Sequence, residues 1–245
     1  MSGIIWDFHT HTTYSHGKGS IEDNVKVAVK KGLKKIAISD HGPGHLTYGI
    51  KRAKIKEMRR DIEAIKDKYP EIEILLGVEA NVINRSGALD ITDEEKGLFD
   101  IVMAGYHYGA FGEEPGRQLR LHAENFVLNH FGTTTAKLKK ENTELMVKAV
   151  YENELMAITH PGDKYDVYIE EIAKACAEKN VWMEINNSHP FLTVETIAIA
   201  AGYDVSFVIG SDAHVPHKVG NCENAVARLE ESGVDPARVV NLADY

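Results

Sequence analysis

The chain has 245 residues, 43% of them hydrophobic and 27% charged, with a formal net charge of −9. This composition supports a sizeable folded core, contains no apolar run of about 18 residues to cross a membrane as a helix, and lacks the broad Lys/Arg surface of a protein that coats nucleic acid. The two cysteines, Cys176 and Cys222, make no disulfide framework or C-x-x-C pair, and MSGIIWDFHTHT lacks the basic stretch of a secretory signal, so a cytoplasmic setting is expected.

Short apolar runs alternate with longer amphipathic stretches along the chain. A strand is predicted over residues 4–8, running into HTHTTYSHG, followed by a helix over 21–31. In that helix Ile21, Val25, Ala28 and Val29 share one face, Ser20 is placed to cap the start and Gly32 the end. A second strand over 35–39 ends in SDHG and precedes a helix over 51–68. Strands over 72–77 and 100–105 end in GVE and GYH. Residues 108–140 break the pattern with Gly109, Gly112, Pro115, Gly116 and Gly132, and read as a lid-like insertion carrying a helix over 121–130. A helix over 136–152 leads to a strand over 155–159 ending in THPG, then to a helix over 169–179 with Cys176 on its core face. Strands over 181–185 and 206–210 end in EINN and GSDAH, and a helix over 219–232 follows. Residues 239–242 are too short to count as an eighth strand.

Strand–helix alternation of this kind predicts an α/β fold with a parallel sheet, either open and doubly wound or closed into a barrel. There are seven units, against the eight of a standard barrel. In both architectures active sites form at the C-terminal ends of the strands. Every strand here delivers a metal-capable or titratable side chain to that end: His9, His11 and His16; Asp40 and His41; Glu79; His107; His160; Glu184; Asp212 and His214. One such histidine alone is more often a structural residue than a ligand. The coincidence over seven strands, in a chain with 12 histidines, points to a metal site. Imidazoles with a few carboxylates suit Zn²⁺, Mn²⁺ or Fe²⁺ better than Ca²⁺ or Mg²⁺, and the ligands exceed what one tetrahedral ion can use.

HTHTTYSHG, ISDHGPGH, GVEAN, AGYH, ITHPGD, EINNS and GSDAH are together similar to the PHP (polymerase and histidinol phosphatase) superfamily. GVEAN, THPG and EINNS most resemble its YcdX-like phosphatase branch. The resemblance implies one PHP domain over residues 1–245, a distorted (β/α)7 TIM-like barrel with the inserted helical segment after the fourth strand. It also implies three divalent transition-metal ions, Zn²⁺ first, with Mn²⁺ or Fe²⁺ as alternatives. His9, His11, Glu79 and Asp212 would hold one ion; Glu79 would bridge to a second held by His107 and His160; His16, His41 and His214 would hold the third.

Seven neutral histidines and two carboxylates would leave about four positive charges at such a cluster, suited to a phosphate dianion. The expected activity is a metal-dependent phosphatase acting on small phosphate monoesters. A metal-bridging hydroxide, with no protein nucleophile, would attack phosphorus. The alternatives are a phosphodiesterase or nuclease, a histidinol-phosphate phosphatase, and a metal-stabilised regulatory module. The expected partner is a small phosphorylated metabolite, with no nucleic acid or membrane.

Around the cluster, Asp7 and Asp40 are either orienters of an imidazole or plain salt-bridge partners. Glu184, Asn186 and Asn187 either point into the mouth or serve packing and loop capping. For Lys18, Arg52, Lys164 and Lys218 a solvated surface charge is favoured over a phosphate contact. His45, His189 and His217 lie in mouth loops as candidates for substrate contact, and His122 and His130 read as surface residues of the insertion.

Overall fold

A computed structural model describes residues 3–112 and 115–243; residues 113–114 of the expected insertion lie outside the described part. Seven strands run in the order β1 to β7, every neighbouring pair parallel: Trp6–Asp7, Lys35–Ile38, Glu73–Asn81, Ile101–Gly105, Ala157–Ile158, Trp182–Asn186 and Phe207–Gly210. Strictly sequential order means that each crossover returns beside the strand just completed, so the sheet curls into a nearly closed barrel. The α-helices are α1 (Ile21–Lys30), α2 (Ile55–Lys66), α3 (Asp93–Lys96), α4 (Pro115–Phe131), α5 (Ala136–Glu152), α6 (Ile169–Lys179), α7 (Val194–Ala201) and α8 (Glu223–Ser232).

Helix boundaries follow local chemistry. Ser20 and Asp23 form a capping box at the start of α1. At its end Gly32, at φ +76, donates to Val29 O while Leu33 N donates to Ala28 O, which closes the helix as a Schellman motif. Two helices carry no clear signal in the sequence. α3 is a single turn with a Thr92–Glu95 capping box. α7 is so apolar that its buried Ile197 and Ala200 do not stand out from an exposed Ile199, so no amphipathic period marks it. α8 starts at Glu223 rather than at 219, because Gly220 turns through φ +70 and gives its N–H to the Asp7 carboxylate at 2.8 Å.

The first and last strands meet by a different route at each end of the barrel. At the C-terminal end Thr10 bridges Ala213, His11 N donates to Ala213 O and Ala213 N to His9 O. Lower down, the tail after α8 fills the gap: its backbone bonds to both sides, Ile5 N–H to Asn241 O and Val240 N–H to Phe207 O, and one side chain completes the seam. The buried Asn241 donates from Nδ2 to Trp6 O at 2.9 Å and to Ile209 O at 2.7 Å, and its Oδ1 accepts Ile209 N–H at 2.9 Å. The amide thereby adds three bonds to those the tail backbone makes across the seam.

In the inserted region α5 packs on α6 as an ordinary crossover helix, and α4 is the added piece. α4 leaves Leu119, Phe126, Val127 and Phe131 exposed. His130 is exposed as expected, but His122 is not a surface residue. Its ring is buried against Tyr106, Tyr108 and Phe111, and Nδ1 accepts Gly109 N–H. Among the described residues no helix is long and apolar enough to cross a membrane.

Candidate metal centre

All nine expected ligands converge at the C-terminal mouth. β3 is the longest strand and carries Glu79 into the middle of the cluster, wholly buried. Glu79 Oε2 lies 2.8 Å from His41 Nδ1, 3.4 Å from His9 Nε2 and 3.7 Å from His11 Nε2. Its Oε1 lies 2.8 Å from His160 Nε2 and 3.4 Å from His107 Nε2, and accepts the Thr159 hydroxyl at 2.7 Å. Asp212 Oδ1 is 3.2 Å from His11 Nε2 and 3.6 Å from His9 Nε2. A Cβ on Gly105 would fall 2.9 Å from His107 Cε1 and 3.1 Å from Glu79 Oε1, so only glycine leaves room for this cradle.

Three groups each bring their ligand atoms within 4.8 Å of one another: His9, His11 and Asp212; His41, Glu79 and His107; His11, His41 and His214. The grouping differs in detail from the expected one, since His41 faces Glu79 as well as His214. His16 stands at the edge, its ring centroid 4.2 Å from that of His214 and 4.9 Å from that of His41. Tyr48 stacks on its outer side at 4.4 Å.

His9 Nε2, His11 Nε2, His41 Nδ1, His16 Nδ1 and Glu79 Oε2 are buried and have no hydrogen-bond partner. Buried polar atoms are otherwise nearly always paired. Here lone pairs face lone pairs, and the donor set of imidazoles and carboxylates is that of a transition-metal site, so these residues fit divalent ions. The electrostatics agree. Burial and the neighbouring His41 pull His11 down to about 4, and burial with the same neighbour pulls His16 to about 3, so both rings are neutral lone-pair donors. Burial opposes ionisation of Glu79 and Asp212, yet the surrounding rings hold both well below the usual carboxylate range. Two of the expected ligands sit on strained backbone: His160 at φ 28 and Asp212 at φ 53. Such residues cost about 1–3 kcal/mol each and persist where the surroundings over-determine them.

The supporting shell is partly as expected. Glu184 is buried; Oε1 faces His9 Nδ1 at 2.8 Å and Oε2 accepts His160 N–H at 2.8 Å. Asn186 donates to Glu184 Oε2 and to Asp212 Oδ2, and its own oxygen accepts Ser188 and His189 N–H. His189 lies between two carboxylates, Nε2 3.3 Å from Asp212 Oδ2 and Nδ1 3.3 Å from Asp163 Oδ2. Lys164 pairs with Asp163.

Other residues take structural posts. Asp7 touches no imidazole: it accepts from Ser211 N and Oγ, Gly220 N and His9 N, tying β1 to the loops after β7. Asp40 also touches none, because Thr12 N at 2.7 Å, Thr12 Oγ1 at 2.6 Å and Ser15 Oγ occupy it and shape the HTHTTYS loop. Asn187 faces away from the mouth and caps α8 by accepting Asn224 and Ala225 N–H. His45 is buried in a turn, its Nδ1 accepting Tyr48 N–H. Arg52 pairs with Glu95 and donates to Asp90 O; Lys18, Lys218 and His217 are exposed. Sequence reasoning missed Asn24, which donates to His11 O, and Thr159 and Asn81; their partners lie on other segments of the chain, where no local pattern announces them.

A cleft of about 750 Å³ opens between α4 and the loops after β5 and β6, walled by Tyr108, Phe126, Asn129, Thr134, Lys164 and Phe191. Asp163 also lines it, and the His189 ring lies between Asp163 and Asp212. A larger cleft, about 1010 Å³, lies at the strand starts by Ile101, Met156 and Val181 and touches none of the nine ligands.

The PHP domain family matches residues 7–188. A relative from Caldanaerobacter subterraneus, named as a probable phosphatase, is 30% identical over 98% of this chain and 88% of its own. Among solved structures, the histidinol phosphate phosphatase of Lactococcus lactis, in complex with zinc, L-histidinol and phosphate, superposes with a TM-score of 0.57 at 17% identity, covering 94% of both chains. A chain of archaeal ribonuclease P, solved with mature tRNA, superposes at 0.52 and 12% identity, over 92% of this chain and 87% of that one. At those identities the two structures speak for the fold alone.

Proposed function

Since the chain belongs to the PHP domain family, we propose that it is a metal-dependent phosphatase that hydrolyses small phosphate monoesters at a cluster of up to three divalent ions. The observation that carries this reading is the set of partnerless lone pairs on His9, His11, His41 and Glu79, all aimed into one buried space. His9, His11, Glu79 and Asp212 would hold one ion, Glu79 with His107 and His160 a second, and His16, His41 and His214 a third. When bound, such ions supply Lewis acidity toward phosphate oxygens and a water acidic enough to attack phosphorus near neutral pH.

The chain's own residues do the rest. Glu184 orients His9 and fixes the His160 backbone, while Asn186 holds Asp212 and the His189 loop. His189, one-third exposed and flanked by Asp163 and Asp212, borders the path by which an ester would enter. The cleft between α4 and Lys164 has the size of an ordinary small-ligand site and would receive the organic part of the ester. Zinc, with which the Lactococcus lactis protein was solved, is the first metal to try. The YcdX-like branch fits the full-length match to a probable phosphatase.

The test is a phosphatase assay on purified protein loaded with Zn²⁺ or Mn²⁺. Hydrolysis of p-nitrophenyl phosphate, lost on chelation, with little activity on the bis ester, is expected. Preference for the bis ester or for RNA would overturn the monoester reading; no hydrolysis by folded, metal-loaded protein across a panel of esters would make the domain a regulatory module. Phe191→Ala should raise KM for aryl esters several-fold and leave inhibition by inorganic phosphate unchanged.

A further inference from the structure

Asp90 lies between β3 and α3, outside the ligand set, and is 3% exposed. Its carboxylate receives three N–H groups. Oδ1 accepts Asn81 N at 2.9 Å, and Oδ2 accepts Gly44 N at 2.8 Å and the Asn81 side-chain amide at 2.5 Å. A carboxylate can only accept, so the Asn81 amide must turn its NH₂ toward Asp90. That leaves Asn81 Oδ1 facing His107 Nδ1 at 2.8 Å. An amide oxygen can only accept in its turn, so Nδ1 of His107 carries the proton and Nε2 keeps the lone pair. That Nε2 points at His160 Nε2, 3.3 Å away, and at Glu79 Oε1.

The same carboxylate seats the loop that carries His41. It holds Gly44 N, and a Cβ on the neighbouring Gly42 would fall 2.2 Å from Oδ1. Resting on the metal reading above, we infer that Asp90 is a positioning residue: through Asn81 it sets the tautomer of His107, and through Gly42 and Gly44 it seats His41, so that both rings offer lone pairs to a divalent ion. Burial raises the Asp90 carboxyl to about 6, which still leaves it ionised at neutral pH.

Three proteins labelled with ¹⁵N-histidine test this: the metal-free wild type, Asp90→Asn, and the swapped pair Asn81→Asp/Asp90→Asn. Long-range ¹H–¹⁵N spectra read the His107 tautomer, and elemental analysis after equilibration with Zn²⁺ reads ions per chain. The wild type should show Nδ1–H. Asp90→Asn releases the amide, so His107 should shift toward Nε2–H and Zn²⁺ affinity should fall about 10- to 100-fold. In the swapped pair the carboxylate at 81 again only accepts, so Nδ1–H and most of the Zn²⁺ affinity should return.

A wild-type His107 protonated at Nε2 overturns the proposal. So does a folded Asp90→Asn that keeps both the Nδ1–H tautomer and wild-type Zn²⁺ affinity. If Asp90→Asn does not fold, the wild type and the swapped pair still decide. A wild type that shows Nδ1–H but binds no metal would sink the phosphatase reading while upholding the Asp90–Asn81–His107 relay.

Discussion

The carboxylate of Glu184 backs the ring of His9 at 2.8 Å, and its second oxygen holds the backbone of His160. One side chain in the middle of β6 therefore aligns candidate ligands that follow β1 and β5. Gly210 is part of the arrangement, since a Cβ there would fall 2.2 Å from Glu184 Oε1. Glu184→Gln must turn its NH₂ either toward the His9 ring or toward the His160 N–H, where an acceptor is needed in both places, and metal affinity should fall about 10- to 100-fold with the fold intact. Titration of the metal-free variant with Zn²⁺ measures it; wild-type affinity would contradict the role.

Glu79 comes within 4 Å of five imidazoles, so its loss should be felt across the whole cluster. Glu79→Ala is expected to lower the number of bound ions per chain and to cut hydrolysis of p-nitrophenyl phosphate by at least about 100-fold. Elemental analysis and steady-state kinetics on the same preparation check both halves.

Ions that bind only the folded barrel stabilise it by mass action, by about 2.7 kcal/mol per site at a hundredfold excess over Kd. Dialysis against a chelator should lower Tm by several degrees, and added Zn²⁺ or Mn²⁺ should restore it. Thermal melts at fixed protein concentration suffice, and a chelator-insensitive Tm would count against a resident cluster.

The Asn241 amide bonds to both β1 and β7 across the seam between them. Asn241→Ala leaves three buried backbone groups short of partners and should cost about 2–4 kcal/mol. In a chain of this size that is a fall in Tm of roughly 5–12 °C. Asn241→Asp should be worse, because a carboxylate would meet the carbonyls of Trp6 and Ile209.

Burial lowers His122 to about 4, against about 6.5 in an unfolded chain. Below 6.5 the unfolded chain binds the extra proton first, so this contribution to stability is present above pH 6.5 and is lost as pH falls toward 4. After allowance for partial solvent screening it amounts to about 2 kcal/mol. Denaturant unfolding at pH 7 and pH 4.5 should show a smaller loss for His122→Gln than for the wild type.

Much of the fold and of the candidate site is legible in the sequence. The seven strands announce themselves as short apolar runs, and the ligands lie at their ends in HTH, DHG, GVE and GSDAH, because β-structure delivers its chemistry at a fixed place. What stayed hidden depends on pairing between distant segments. By sequence Asp7 and Asp40 are the candidate imidazole orienters and Glu184 a residue of the mouth or of packing, and only the spatial neighbours reverse this: Asp7 meets Ser211 and Gly220, Asp40 meets Thr12 and Ser15, and Glu184 meets His9. His122 carries a polar label, but its ring is drawn into an aromatic pocket built from the end of β4. Asn241 sits in a stretch too short for a strand, and it is not one; isolated backbone bridges and the Asn241 amide join the seam instead.

The seam at Asn241 also bears on how the protein is made. Its bond to Trp6 joins residues 235 positions apart, and His9 and His11 meet Asp212 only once the last strand is in place. A chain still leaving the ribosome therefore lacks the last member of that group, and the long loop to be closed makes this final step slow. On the metal reading proposed above, the full set of ions would be held only by a finished barrel.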